Sequence, residues 1–503
     1  MKIAIIGAGV SGLTTAYYLR QQSKLDNDTI TVFDTAEKVG GNAKTMWVRL
    51  PNGSERWVDM GVNDFNLQTY KELAKLWVEL KLMTPTVPCP SSEYCKPLQN
   101  TESFCSQDEG FKYRYYIKDG HVTAPGDSSA PGPHLESQIG LFKDALYDWY
   151  KQHQDEGVDS VTVGEWLNAQ KVKFSDPFIY TNLFPRINGM YYTMEEGETP
   201  GNLIPPYDMP LWMVAHYYVL QEAYGQTIPV SLQCPRQYFV NGSYTWLEKL
   251  EEKVKALKVE VTKGVRPFKV FRRPDGQFDL HNEVLIDTFD KVIFATHPDD
   301  TYTMIENFKE EPMAKALREF SMSKSTVVVH TDPRFLPPQQ DCNMTYNIHI
   351  YNYVPGRTYY PYTITYIENY HQNDQKTPAD PLFFTSVNPQ FPIDSKRVLK
   401  QLDGITPAEA EFYHCKLNRK SVAAQVFIEK TQMGEKVERG YYFAGSFTKG
   451  AGLHEECIIH SQELAKKIAN PLYESDQSYH FNSPGKQFAP RYIREAFDRT
   501  KKK

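Results

Sequence analysis

The chain has 503 residues, a formal net charge of −6 and a hydrophobic fraction of 41%. This length is enough for about three domains, or for one large α/β unit that carries an inserted domain. Lys and Arg residues are scattered along the sequence, which argues against a nucleic-acid partner. The seven cysteines form no CxxC pair and are too few to staple so long a chain, so we expect neither a disulfide framework nor a metal site.

The N-terminal segment combines an apolar strand, a glycine turn and a helix. Residues 1–6 are followed by the sequence GAGVSG at positions 7–12 and by a helical run at 13–19. A second strand at 29–33 ends in Asp34, about 20 residues after the glycines, where a carboxylate can bind a ribose hydroxyl. This arrangement predicts a Rossmann-type dinucleotide site with contacts from Gly7, Gly9, Ser11, Gly12 and Asp34.

Each glycine of this motif has its own mechanical role. Gly7 makes the tight turn, Gly9 leaves room for the backbone to approach a pyrophosphate, and Gly12 lets the helix pack close to the strand. The N-terminus of the helix then faces the phosphates.

The residues after Asp34 indicate which dinucleotide binds. Gly40 and Gly41 form a Gly-Gly pair, which is followed by Asn42. This extension resembles that of the flavin amine oxidase and phytoene desaturase superfamily, in which the backbone wraps FAD. The resemblance implies dissociable FAD as the cofactor, with contacts from all three residues. Asp34 replaces the commoner Glu of that family, and Asn42 replaces its usual Arg or His.

A second resemblance appears at residues 57–66, which precede a helical stretch at 68–82. Their pattern of Asp, Gly, aromatic-Asn and Thr-Tyr is similar to a bacterial branch of the superfamily, described as NAD/FAD-binding or amine oxidase-like proteins. That branch also resembles polyunsaturated fatty acid isomerases. Residues 84–135 follow as a segment rich in Pro, Ser, Cys and Gly, which we interpret as an irregular insertion with one hairpin at 113–122.

The next part of the chain predicts a helical substrate domain. Helices are expected at 136–155 and 162–170, the second with a capping box formed by Thr162 and Glu165. Aromatic and Met residues at 184–192 and 205–212 suit an apolar ligand tunnel, although this spacing is also typical of ordinary core.

Strands return at 259–261, 268–271, 278–280 and 291–294. In the family that the chain resembles, the counterpart of Val265 contacts adenine through its backbone. Ala295 follows the last of these strands in a small-residue turn, where the chain is expected to pass the pyrophosphate.

The strand at 325–333 helps to distinguish amine oxidation from other flavin reactions. In true amine oxidases the equivalent strand carries a lysine that holds a water at flavin N5. The alignment puts Ser325 at this position, and Lys324 falls on the opposite strand face. This weakens ordinary amine oxidation. Tyrosines at 346–370 alternate in a way that predicts antiparallel strands over the flavin.

A closing motif lies near the C-terminus. A strand and glycine turn at 440–447 precede the sequence GAGLHEEC at 450–457 and a helix at 458–468, similar to the superfamily's final FAD motif. The resemblance implies cofactor contacts from this turn and helix start. His454 and Glu455 are the candidate catalytic pair, with helix capping or packing as the alternative. The implied cofactor contacts are Gly445, Ser446, Gly452 and Leu453.

Together these features predict an α/β fold, with a Rossmann-like FAD-binding domain of the GR2 or amine oxidase type and an inserted α+β substrate domain. FAD-binding parts are expected at 1–83, 236–310 and 431–470. The insertion and helical substrate domain occupy 84–235, and the substrate-domain sheet occupies 311–430.

Three functions remain open. The first is an FAD-dependent oxidoreductase that removes hydride from a small or medium, apolar or amine-type substrate. The second is a redox-neutral isomerase of fatty acids or polyenes, and the third is a non-catalytic flavin-binding protein. Because the flavin carries the chemistry, the sequence identifies the cofactor better than the substrate.

The location and partners follow from what the sequence lacks. No cleavable leader precedes the first strand and no run of about 18 apolar residues occurs, so we expect a cytoplasmic protein with an apolar small-molecule substrate. The polar tail at 471–503 is expected to be solvated, with peripheral membrane contact as the alternative. The oligomeric state is left open.

Overall fold

The computed structural model describes residues 1–84, 93–106, 113–118, 121–124, 132–153, 161–191, 206–222, 236–265, 268–351, 361–372, 380–434 and 439–473. Its first sheet is parallel and five-stranded. Apolar residues fill these strands because helices cover the sheet and bury it. In spatial order the strands are Glu260–Thr262, Thr29–Phe33, Lys2–Ile6, Lys291–Phe294 and Tyr441–Phe443.

Two helices lie together beside the parallel sheet. Val10–Arg20 packs along His454–Ala469, and the Thr14 Oγ1 atom lies 2.8 Å from the Ser461 Oγ atom between them. The helix Tyr244–Ala256 packs against the first of these helices. The two ends of the sequence are thereby brought into one layer.

A second, eight-stranded sheet lies across the cavity from the first. Its strand pairs are antiparallel, except that Tyr346–Ile350 runs parallel to Glu102–Ser106. In spatial order the strands are Glu409–Cys415, Met322–His330, Phe384–Val387, Tyr362–Ile367, Tyr346–Ile350, Glu102–Ser106, Tyr113–Lys118 and His121–Thr123.

Helices pack with this second sheet into one apolar core. The capping box of Thr162 and Glu165 is confirmed, since each side chain accepts a hydrogen bond from the backbone N–H of the other. The helices of this core are Gly132–Gln152, Val163–Ala169, Asp176–Phe178, Phe184–Tyr191 and Leu211–Gln221.

Three small sheets and five further α-helices are also present in the described part of the chain, together with short 3-10 and π-helical turns. The small sheets contain Lys269–Arg272, Phe278–Asn282 and Val284–Phe289; Lys400–Gln401, Thr45–Arg49 and Glu55–Asp59; and Cys95–Pro97 with Gln237–Phe239. The helices are Lys71–Glu79, Pro298–Met304, Pro312–Lys315, Glu368–His371 and Arg419–Gly434.

The predicted α/β fold is confirmed, with one local correction. The expected irregular insertion instead supplies three strands to the edge of the eight-stranded sheet. The hairpin at 113–122 is present as an antiparallel pair, although its turn residues lie outside the described residues. Of these strands only Glu102–Ser106 pairs with a strand distant in sequence, Tyr346–Ile350, and the other pairings are local. Short edge strands have a weak signal because strand propensity depends strongly on context.

The strands of the parallel sheet all come from the segments predicted to bind FAD, and those of the eight-stranded sheet come from the predicted substrate segments. The exact domain boundaries stay a prediction. Within the described ranges, no helix combines the length and apolar character that a membrane crossing requires. The tail beyond residue 473 lies outside the described residues.

Candidate functional site

A cavity of about 490 Å³ extends from the glycine turn to the eight-stranded sheet. At one end its wall is mostly backbone of the parallel-sheet layer. At the other end it is made of charged and aromatic side chains. We call these the cofactor end and the substrate end.

The glycine turn shapes the cofactor end. A Cβ atom on Gly12 would lie 1.9 Å from the carbonyl oxygen of Gly7, so only glycine allows the helix to start this close to the strand. Gly9 differs, because a Cβ atom there would lie 3.7 Å from the Cα atom of Gly41, an ordinary contact. The protein's own packing therefore does not require glycine at position 9, and the space beside it opens into the cavity.

The Gly-Gly pair lies against this turn. The backbone N–H of Gly40 donates to the carbonyl of Ala8 at 2.9 Å, and Gly41 adopts a left-handed backbone with φ +59°. The two glycine segments thus form a cradle in which no side chain blocks the approach to the backbone. Such a cradle fits the pyrophosphate of a dinucleotide.

Asp34 is held in place by two backbone donors. Its Oδ2 atom accepts from the N–H of Ala8 at 2.6 Å and its Oδ1 atom from the N–H of Ala36 at 2.8 Å. A carboxylate oxygen has two lone pairs, so each oxygen retains one for a ribose hydroxyl. Asp34 lines the cavity, as a ribose-binding carboxylate requires.

The structure brings most of the sequence-predicted residues to one cavity. Those that line it are Gly7, Gly9, Ser11, Asp34, Gly40, Gly41, Asn42, Ala295, Ser446, Gly452, Leu453 and His454.

Four predicted residues do not line this cavity. Gly12 serves the packing of the turn, and Gly445 packs so closely that a Cβ atom would lie 2.5 Å from the Thr296 carbonyl oxygen. The N–H of Val265 donates to the carbonyl of Asp34 at 3.1 Å, so its backbone donor is already used inside the protein. Glu455 is the fourth.

His454 lies in the cavity wall at the start of the last helix. Its ring packs at 5.6 Å from that of Phe65 and at 5.4 Å from that of Trp246, measured between centroids. Burial lowers the pKa of His454 to about 3, so the ring is neutral near pH 7. Its Nδ1 atom is buried and has no hydrogen-bond partner among the described residues, which leaves it available to a bound molecule.

The placement of Glu455 favours the alternative of helix capping over a catalytic role. Its two carboxylate oxygens accept the backbone N–H groups of Glu72 and Leu73, each at 2.9 Å. These donors belong to the first turn of the helix Lys71–Glu79, where a carboxylate is favourable. Glu455 therefore caps a neighbouring helix, and burial raises its pKa to about 7.

At the substrate end, Asp64 is the centre of a hydrogen-bonded network. Gln221 donates to its Oδ1 atom at 2.6 Å, and the Tyr346 hydroxyl donates to its Oδ2 atom at 3.0 Å. Arg236 donates to the Tyr346 oxygen at 3.2 Å and lies 3.3 Å from a Glu222 carboxylate oxygen and 3.6 Å from one of Asp64.

A second ion pair, between Arg186 and Glu102, lies in the same wall. The substrate end is not purely apolar, because five charged side chains line it: Asp64, Glu102, Arg186, Glu222 and Arg236. An apolar substrate stays a prediction. Of the aromatic segments proposed as a tunnel, 184–192 contributes to the wall, whereas Trp212 and its neighbours at 209–211 are buried in core. The remaining wall residues here include the rings of Tyr70, Tyr191, Tyr217, Tyr218 and Tyr366.

Sequence reasoning did not identify these ionisable residues as a site. Asp64 follows the conspicuous Asp-x-Gly segment, and Arg236 begins the segment where the chain returns to the parallel sheet. Both positions were noticed for their surroundings only. The signal that could have identified Asp64 is its negative charge within a segment that resembles an FAD-binding superfamily.

Ser325 and Lys324 lie on opposite faces of the strand Met322–His330, as expected. Ser325 is fully buried, whereas Lys324 pairs with Glu411 on the outer face at 2.6 Å. Neither residue lines the cavity, so the position of Ser325 relative to a flavin stays a prediction.

The fold and the cavity together define a class of fold: an α/β protein with a Rossmann-type parallel sheet, in which a second sheet covers one side of the cavity. This is the fold that the sequence resemblance predicts. Comparisons with particular proteins agree. Residues 5–80 match the family model described as an NAD(P)-binding Rossmann-like domain.

One curated relative is a protoporphyrinogen oxidase from Dictyostelium discoideum, to which the chain is 39% identical over 61 residues. This stretch is 11% of the chain and 12% of the relative's length, so it speaks for one segment only.

Solved structures match over nearly the whole chain. A candidate protoporphyrinogen oxidase from Exiguobacterium sp. 255-15 has a TM-score of 0.59, with coverage of 93% of this chain and 98% of that one. Cyclohexylamine oxidase from Brevibacterium oxydans IH-35A has a TM-score of 0.57, with coverage of 94% and 99%. A conjugated-linoleic-acid-producing (CLA-producing) fatty acid isomerase from P. acnes has a TM-score of 0.55, with coverage of 93% and 98%. Each is 14% identical to this chain, a level that shows the shared fold.

Proposed function

We propose that this protein is an FAD-dependent oxidoreductase that takes hydride from a small amine-type substrate. The observation that carries the proposal is the single cavity, which runs from a backbone cradle to a wall of charged side chains. The cradle suits the pyrophosphate and Asp34 suits a ribose, while the solved structures of like fold include an amine oxidase.

FAD, when bound, supplies hydride acceptance, so the protein needs only to bind, orient and shield the substrate. We assign Gly9, Gly41 and Asp34 to the cofactor. His454 offers its buried Nδ1 atom to the flavin or the substrate, and its neutral state suits a hydrogen bond rather than an ion pair.

The charges of the substrate end favour a cationic ligand. Among the charged residues that line this end, three carboxylates (Asp64, Glu102 and Glu222) face two guanidinium groups (Arg186 and Arg236), an excess of one negative charge. Lys143, outside the lining, also interacts with Glu222 and Glu102. A protonated amine would balance the excess charge of the lining, and the surrounding tyrosine rings would add cation–π contacts.

A redox-neutral isomerase is the second candidate. The observation in its favour is Ser325, which occupies the strand position where the resemblance places the lysine of true amine oxidases. The fatty acid isomerase of like fold is consistent with it. The charged wall argues against an apolar polyene, although a fatty acid carboxylate would find Arg186 and Arg236 in the same wall.

Anaerobic mixing of the holoprotein with amines, fatty acids and polyenes separates these functions. We expect lasting bleaching of the flavin absorbance by an amine. Product formed while the flavin stays oxidised would establish the isomerase, and neither change with any of the three classes would contradict both catalytic proposals.

The His454→Ala variant tests the assigned contact. It should retain FAD yet reduce the flavin about 100-fold more slowly, since a positioned hydrogen bond is removed. Loss of FAD binding, or an unchanged rate, would contradict the assignment.

A further inference from the structure

Glu456 follows the predicted catalytic pair and connects the two walls of the cavity. One carboxylate oxygen lies 2.9 Å from the Nε2 atom of His216, and the other accepts the backbone N–H of Leu453 at 3.0 Å. Both side chains are completely buried. A buried carboxylate in this setting is stable only because both its oxygens are bonded.

His216 is itself held firmly within the helix Leu211–Gln221. Its ring stacks on Trp212 with centroids 4.4 Å apart and an angle of 12° between the planes, and its Nδ1 atom lies 3.4 Å from the Tyr150 hydroxyl. Tyr217, Tyr218 and Gln221 of the same helix line the cavity. Movement of His216 would therefore move the wall formed by Tyr217, Tyr218 and Gln221.

On its other side, Glu456 lies against the cofactor turn. A Cβ atom on Gly450 would lie 1.7 Å from the Glu456 Oε1 atom, and Gly450 has φ +53°. Gly450, Ala451 and Gly452 all line the cavity. The carboxylate therefore supports the back of a turn whose front faces the cofactor end.

The charge of Glu456 also reaches the cavity. Burial, followed by the charge of Glu456, raises the pKa of the cavity residue Tyr191 well above its usual value. Charges act over longer distances in a dry interior than in water.

We propose that Glu456 is a positioning residue with two effects: through His216 it fixes the substrate wall against the cofactor turn, and through its charge it lowers the tendency of the flavin to accept electrons. This inference rests on the proposed function. A negative charge behind the turn opposes the negative charge that an anionic reduced flavin would carry.

The Glu456→Gln holoprotein tests the electrostatic effect. The amide oxygen can accept the Leu453 N–H and the amide NH2 can donate to the Nε2 atom of His216 in its other tautomer, while the charge is removed. We expect the equilibrium with a reference redox dye to move about tenfold toward reduced flavin. This readout is a property of the bound flavin and does not require turnover.

Glu463→Gln is the matched control, because Glu463 lies on the same helix two turns further on and contacts Lys449 at 3.4 Å. It should leave the dye equilibrium unchanged within about twofold. An equal shift in both variants, or none in Glu456→Gln, would overturn the electrostatic effect. A wild-type protein without FAD would instead contradict the proposed function.

The His216→Gln variant tests the positioning effect and does not depend on Glu456→Gln being able to fold. It keeps a donor for Glu456 but removes the ring that stacks on Trp212. We expect the KM for the best amine to rise several-fold with the dye equilibrium unchanged within about twofold. An unchanged KM would overturn the positioning effect.

Discussion

The two ends of the cavity are built in different ways. The cofactor end consists mainly of backbone, and the contacts within its N-terminal half join residues close in sequence, such as the bond from the Ala8 N–H to Asp34. The substrate end consists of side chains brought together from across the chain, where Asp64 bonds partners 157 and 282 positions away. A backbone site depends on the absence of side chains, whereas a side-chain site depends on the exact position of every charge.

The first prediction sharpens the difference at the cofactor end. Gly12→Ala should reduce the stability of the fold by about 3 kcal/mol or more and abolish FAD binding, because the added Cβ atom would overlap the Gly7 carbonyl oxygen. Thermal unfolding of the apoprotein measures this.

Gly140→Ala is its control. Gly140 lies within the helix Gly132–Gln152, and a Cβ atom there would meet nothing within 4 Å. Alanine should leave stability unchanged or raise it by up to about 1 kcal/mol. If both variants behaved alike, the close approach of turn and strand would not exist.

A change at the substrate end should leave the cofactor end intact. Asp64→Asn removes the charge that faces Arg236 while keeping the shape of the side chain. We expect FAD to remain bound and the KM for the best amine to rise about 30-fold, since one member of a buried charged network is lost. Loss of FAD together with substrate binding would show that the two ends are not independent.

Acid should destabilise the fold through four histidines, of which His454 and His414 line the cavity and His330 and His460 do not. Burial lowers the pKa of His454 and His414 to about 3 and of His330 and His460 to about 4. Below about pH 6.5 the unfolded chain binds more protons than the folded chain, so stability falls as the pH drops. Each such histidine contributes a slope of about 1.4 kcal/mol per pH unit.

Two buried carboxyl groups act in the opposite direction. Burial raises the pKa of Asp59 to about 8 and of Glu455 to about 7, so the stability that their protonated forms contribute is lost as the pH rises through these values. We therefore expect maximum stability near pH 6.5. Urea unfolding between pH 4 and 8 measures the free energy of unfolding as a function of pH. In His454→Gln the slope of this curve below pH 6.5 should be smaller by about 1.4 kcal/mol per pH unit, the contribution of one proton. A flat profile would contradict the burial of these groups.

The smallest effect is expected at a residue outside both ends. Lys324→Met removes a partly exposed ion pair with Glu411, of the kind that contributes at most about 1 kcal/mol. The rate of flavin reduction should stay within about threefold. A loss of several orders of magnitude would show that a lysine on this strand does face the flavin.

The contrast between the ends explains what could be predicted from sequence. The first two parallel strands, the glycine turn, Asp34 and the Gly-Gly extension all lie within residues 1–42, and each has a local signal. The closing motif at 440–457 could also be identified from sequence, because its strand, glycine turn and helix are adjacent along the chain. The fold class followed from these segments.

The charged network could not be predicted, because no local pattern indicates which distant charges will meet. Arg236 and Asp64 become partners only when the eight-stranded sheet folds over the turn. The choice between the two interpretations of Glu455 also depended on a distant partner. A carboxylate in a first helical turn predicts a cap, but the helix that it caps begins at Lys71, which is distant in sequence.

The most direct test is the FAD content of the purified wild-type protein and of Gly9→Ala. Because a Cβ atom on Gly9 makes only ordinary contacts within the protein, the apoprotein variant should unfold at the wild-type temperature. We predict one FAD per wild-type chain, released on denaturation, and at least about tenfold weaker FAD binding in the variant, since its methyl group would occupy the space of the pyrophosphate. A colourless wild-type protein that takes up no added FAD, or a variant that binds FAD as the wild type does, would contradict the account.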